Sequence, residues 1–71
     1  MAIQAINVRN QFRGKVKHIT FGDVVSEVEI DTSGGLVASV ITTRSVKELG
    51  LEPGSEVLAL FKATEVSVAK L

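Results

Sequence analysis

A small all-β domain, a five-stranded OB-like Greek-key barrel with one short helix, is the fold class this sequence predicts. Three observations predict it. Apolar residues recur with period two through most of the chain, which is the spacing of half-buried strands. Short Gly- and Pro-bearing segments punctuate those runs, as turns between short strands require. The spacing becomes helical only once, between residues 42 and 50. Five short strands and one helix in 71 residues fit a partly open Greek-key barrel.

The first strand is expected over about residues 9–19, where Phe12, Gly14 and Val16 alternate with Arg13, Lys15 and Lys17. Phe21-Gly22-Asp23 reads as a turn. In the second strand Val24, Val28 and Ile30 alternate with Glu27 and Glu29. Ser33-Gly34-Gly35 reads as a hairpin turn, since glycine takes positive φ without penalty. Residues 36–41 are nearly continuously apolar and β-branched, which predicts a third strand buried on both faces. A short helix follows, with Val46 and Leu49 on one face. Ser45 and Glu48 have the capping-box spacing, with Thr42 or Thr43 as the alternative N-cap. Gly50 suits the left-handed position after the helix, with Leu51 packing back on it. Glu52-Pro53-Gly54-Ser55 has the residues of a type II turn. The fourth strand, residues 56–62, sets Val57, Ala59 and Phe61 on one face and Leu58 and Leu60 on the other. After a brief connection at residues 63–65, Val66, Val68 and Leu71 predict a fifth strand.

Composition points to assembly and excludes several function classes. The chain, 1–71, is expected to form one domain. So small a domain hides only about 60% of the surface its unfolded chain exposes. It has no Cys for disulfides and one His, too few ligands for a structural zinc. Hydrophobic residues nevertheless make up 45% of it. The third and fourth strands, apolar on both sides, therefore predict a homo-oligomer. Eight basic residues balance eight acidic ones, and the pI is about 6.6. No basic excess marks a nucleic-acid binder. No apolar run approaches the roughly 20 residues of a membrane span. Met1-Ala2-Ile3-Gln4 lacks the pattern of a secretory signal. With no Cys, the expected compartment is the cytoplasm.

Catalysis is not expected. His18 is the one residue that ordinarily titrates near neutrality, and it reads as a surface residue at a strand end. No paired carboxylates or nucleophile motif stand out. Single-stranded nucleic acid would call for stacking aromatics in a positive groove. There is no Trp or Tyr, and the Arg13, Lys15 and Lys17 stripe reads as a solvated strand face. A small oxyanion remains. Arg9 precedes the first strand, Thr42 and Ser45 stand at the helix start, and Lys62 follows the fourth strand. Hydroxyls and the free N–H groups of a helix start donate to anions, and Lys62 supplies a point charge. The competing reading of Thr42 and Ser45 is simple helix capping.

The segment Arg9-Asn10-Gln11-Phe12-Arg13-Gly14-Lys15-Val16 resembles the opening of the molbindins, small molybdate-binding proteins built from a Mop or TOBE-type domain. The resemblance continues through residues 41–51, Ile-Thr-Thr-Arg-Ser-Val-Lys-Glu-Leu-Gly-Leu, and through Pro53-Gly54-Ser55-Glu56-Val57. It ends with residues 60–66, Leu-Phe-Lys-Ala-Thr-Glu-Val. One copy of the module and nothing more resembles the free-standing form.

The resemblance implies an OB-like barrel that exchanges strand segments with a second subunit and assembles as a hexamer, a trimer of dimers. It implies molybdate or tungstate as the bound ligand, held between subunits for storage or buffering, with no catalytic cofactor, no bare metal ion and no reaction. Carried over by position, Arg9 matches the basic residue of the opening motif. Thr42 and Ser45 match the donors at the helix start, and Lys62 and Ala63 match the Lys-Ala pair closing the fourth strand. Asn7 stands where the family often has Ser; its amide still offers donors. Since such sites lie between subunits, the Arg9/Lys62 set and the Thr42/Ser45 set are expected from different chains. The alternative is a structural or protein-interaction module without a small-molecule ligand.

Overall fold

The computed structural model describes residues 6–71; the reading of Met1–Gln4 against a secretory signal lies outside the described residues. Strands β1 (Asn10–Thr20), β2 (Val25–Thr32) and β3 (Gly35–Thr42) lead into helix α1 (Thr43–Glu48), and β4 (Glu56–Phe61) into a 3-10 turn at Ala63–Glu65. The strands form one antiparallel sheet in the order β3-β2-β1-β4.

β1 organises this sheet. Its first half pairs with β4, from Asn10 opposite Phe61 to Lys15 opposite Glu56. Its second half pairs with β2, from Gly14 opposite Thr32 to Thr20 opposite Glu27. Only Gly14 and Lys15 pair on both sides, so the sheet curls across β1. The β1–β2 register slips between Val16 and His18, leaving Lys17 as the extra residue of a bulge. The slip reverses the inward parity, so Val16 and Ile19 are both buried. Gly14 permits the close approach of β2: a Cβ there would stand 2.3 Å from the Asp31 carbonyl oxygen.

The core joins Val16, Ile19, Val28, Ile30, Val46 and Ala59, with Val37, Ile41, Leu51, Val57 and Phe61 packed around them. α1 supplies Val46, and its end follows from local chemistry. Gly50 takes φ +63°. Its N–H donates to the Lys47 carbonyl at 3.1 Å, and the Leu51 N–H to the Val46 carbonyl at 3.1 Å. These are the paired bonds of a Schellman motif, and they return Leu51 to the core. The turn at 52–55 has Gly54 at φ +94° and a Ser55 N–H to Glu52 carbonyl bond of 3.0 Å, as expected for type II. Gly54 N–H also donates to the Val16 carbonyl at 2.8 Å, fastening the turn to β1.

Three expectations need correction. Residues 66–71 form no strand: Val66, Val68 and Leu71 are exposed, and Val68 retains 93% of its accessible surface. A strand needs a ladder partner, and no described strand pairs with this segment. β3 is not buried on both faces. Its inner side, with Val37 and Ile41, is half-buried, while Leu36 and Val40 on its outer side are open. Leu49 does not share the burial of Val46; it is 67% exposed, against 1%. Leu49 borders an open groove of about 490 Å³ between β3 and β4, which Val28, Ile41, Leu51 and Phe61 also line. Its lining is mostly apolar, which suits side chains and not an oxyanion.

Candidate functional site

The candidate oxyanion residues fall into two sets, and the strand register separates them. Thr42 ends β3 opposite Val25, beyond the row that holds Thr20 at the end of β1. Arg9 and Lys62 instead flank the Asn10–Phe61 pair at the start of β1. The 11 residues of β1 therefore lie between the two sets. The structure brings Thr42 to Ser45, and Arg9 to the neighbourhood of Lys62 and Ala63. It does not bring the two sets together within one chain.

At the first end, Thr42 is the helix N-cap, with extended backbone at φ −65°, ψ 144°. Its Oγ1 accepts from the Ser45 N–H at 3.1 Å and donates to Ser45 Oγ at 2.8 Å. The expected Ser45–Glu48 capping box is replaced by this Thr42–Ser45 cap. Glu48 instead accepts from Arg44 Nε at 3.0 Å, an exposed i,i+4 pair. Because the Thr42 proton is committed to Ser45 Oγ, the hydroxyl proton of Ser45 is the one this pair can offer outward. Ser45 is half-buried and Thr42 exposed. Capping is thus present, and it aligns a donor rather than consuming both hydroxyls.

At the second end, Asn7 and Arg9 lie exposed in the run ahead of β1. Gln11 Nε2 donates to the Val8 carbonyl and ties this run to the strand. Lys62 is exposed, with extended backbone at φ −71°, ψ 142°, and opens the 3-10 turn without a side-chain capping bond. Ala63 has no polar side chain, so its backbone N–H is the donor it can present. Among the described residues the only ion pair is Arg44–Glu48, so neither Arg9 nor Lys62 is neutralised there.

One cation of the basic stripe faces carboxylates on both neighbouring strands. Lys15 lies between Asp31 on β2 and Glu56 on β4, and His18 lies opposite Glu29. Arg13, Lys15 and Lys17 are all exposed, so the basic stripe is a solvated strand face. Among the described residues no group of three His, Cys, Asp or Glu could hold a metal ion, and no helix is long and apolar enough to cross a membrane.

Two polar residues lie buried behind the first end, Ser26 and Thr43, 2% and 8% exposed; Thr43 is expected from the sequence only as an alternative helix cap and Ser26 not at all. The signal was present for Ser26. It stands on the inner register of β2, two residues before Val28, where the alternation calls for an apolar side chain.

The described residues thus form a small β module, a one-layer curled sheet with hydroxyl and cationic side chains at the two ends of its long strand. Comparison with known proteins places it further. The TOBE domain family matches residues 6–68, and the chain belongs to that family. It is 47% identical to a probable molybdenum-pterin-binding protein of Haemophilus influenzae, over 89% of this chain and 93% of that one. Its fold superposes on MopII from Clostridium pasteurianum with a TM-score of 0.87, at 39% identity, covering 93% of this chain and all of that one. The corresponding values for a molybdate-binding protein from Sporomusa ovata are 0.89 and 40%, covering 94% of this chain and all of that one.

Proposed function

We propose that this protein binds molybdate or tungstate, without transforming it, at sites formed between subunits of a homo-oligomer. The observation that carries the reading is the separation of two donor sets of matching chemistry by the length of β1. A tetrahedral dianion only accepts hydrogen bonds, so a shell for it is made of donors. The Ser45 hydroxyl, held by Thr42, supplies a neutral donor at one end. Arg9, Lys62, the Asn7 amide and the Ala63 N–H supply charged and neutral donors at the other. A second chain brings the two ends together, and burial at their junction strengthens charge-assisted bonds. Relatives named for molybdenum or molybdate support the choice of ligand.

Assembly as a hexamer, a trimer of dimers completed by exchanged strand segments, accounts for the open groove and the unpaired residues 66–71. The role is storage or buffering of the oxyanion in the cytoplasm, where a chain without Cys is at home. Isothermal titration with molybdate, tungstate and sulfate tests this, on protein whose mass is fixed by light scattering. The expected results are a mass near six times 7.6 kDa, saturable binding of the first two ions and weak binding of sulfate. A well-folded oligomer that binds none of them overturns the reading and leaves the ligand-free interaction module in its place.

A further inference from the structure

We propose that a closed ring of hydrogen bonds through Gly22, Ser26 and Thr43 is a positioning device for the Thr42–Ser45 hydroxyl pair. The inference rests on the oxyanion reading above and deepens it. Thr43 Oγ1 donates to the Gly22 carbonyl at 2.7 Å. That bond uses the single proton of Thr43, so in the 2.7 Å contact between Ser26 Oγ and Thr43 Oγ1 the donor is Ser26. Ser26 Oγ in turn accepts from the Gly22 N–H at 3.4 Å. The ring runs in one direction, from Gly22 N–H through Ser26 and Thr43 to the Gly22 carbonyl. Each hydroxyl in it donates once and accepts once.

Two facts make this a device and not only a packing detail. First, both hydroxyls are buried, where an apolar residue of the same shape would need no partner at all and an unpaired hydroxyl is penalised. Second, Thr43 is fixed twice to the same turn, since its N–H also donates to the Val24 carbonyl at 2.9 Å. Residues 22–26 thereby hold the backbone at residue 43 from the inner side. Thr42 and Ser45 on either side of it form their pair on the outer side. A ring with fixed direction sets the angle of this corner more tightly than apolar packing does, because hydrogen bonds weaken steeply off their axis. The direction in which Ser45 presents its free proton follows from that corner. Thr43 and Ser26 do not touch the ligand; they act through Thr42 and Ser45.

The test compares Thr43→Val, which keeps the shape and removes the hydroxyl, with Thr43→Ser, which keeps the hydroxyl. Ser26→Ala removes the other hydroxyl of the ring with little change in volume. The readouts are molybdate affinity by titration and the amide exchange rate of Ser45. Thr43→Val and Ser26→Ala are expected to weaken molybdate binding about tenfold and to speed exchange at Ser45, with the mass of the assembly unchanged. Thr43→Ser is expected to stay within about twofold of the unaltered protein in affinity. If Thr43→Val fails to fold, Ser26→Ala carries the test. Binding by Thr43→Val or by a folded Ser26→Ala equal to that of the unaltered protein overturns the positioning role and leaves the oxyanion reading standing. Equal losses in Thr43→Val and Thr43→Ser also overturn it. Failure of the unaltered protein to bind molybdate overturns the oxyanion reading itself, and the proposal with it.

Discussion

The two ends of β1 are built in opposite ways. At the Thr42 end four hydroxyl side chains are linked by hydrogen bonds: Thr42 to Ser45, Ser26 to Thr43, and Thr43 to the Gly22 carbonyl. At the Arg9 end the cations are exposed, and Arg44–Glu48, away from both of them, is the only ion pair among the described residues. The first end is organised by its own chain. The second carries Arg9 and Lys62 exposed, neither in an ion pair among the described residues. A neutral donor has to be aimed, because its weak bond depends on angle. An ammonium or guanidinium acts over a longer range, and neighbours can orient it when the ligand arrives. The difference is what an interfacial site needs if one chain aims and another supplies charge.

Variants can break this contrast, beginning with the strand that joins the two ends. Gly14→Ala puts a Cβ against a backbone oxygen that cannot swing away. It is expected to lower stability by about 3 kcal/mol in urea unfolding and to impair both ends together. Lys62→Ala touches the charged end alone. It is expected to weaken molybdate at least about tenfold, the worth of a charge-assisted bond, with the urea midpoint nearly unchanged. Unchanged affinity would remove Lys62 from the site. Thr42→Ala takes away the cap of the organised end. Stability is expected to drop by about 1 kcal/mol, and molybdate affinity should fall with it. A variant that loses stability but binds normally would reduce Thr42 to capping. Arg44→Ala is the smallest change. The exposed Arg44–Glu48 pair is worth about 0.3–0.5 kcal/mol, and titration should give unaltered affinity, since Arg44 belongs to neither donor set.

Much of this organisation was legible in the residues. Alternation located β1, β2 and β4, a nearly continuous apolar run located β3, and Gly50 and the Pro53-Gly54 turn marked the end of α1 and the start of the next strand, because caps and turns are local chemistry. The candidate donors were legible as residue types at recognisable places. The family resemblance implied their division into two sets; that these stand at opposite ends of β1 depends on which half of β1 pairs with β4 and which with β2. Leu49 illustrates the same limit: its spacing from Val46 matches one helix face, yet it lies past the last helical residue, where the chain has begun to turn. The fifth strand failed for a related reason. The pattern at Val66, Val68 and Leu71 fits a strand, but a strand exists only with a partner.

The sequence by itself determined the class of fold, the number of regular elements up to β4, the end of the helix at Gly50 and the inventory of donors. All of these arise within a few residues of one another, where backbone sterics and side-chain capping decide. Only the tertiary structure decided the curl of the sheet across β1, the bulge at Lys17, the Gly22–Ser26–Thr43 ring and the distribution of donors to opposite ends. These depend on contacts between residues such as Ser26 and Thr43, 17 apart in the chain. Whether such pairs meet is fixed by strand register and by the burial of everything around them, which no local pattern contains.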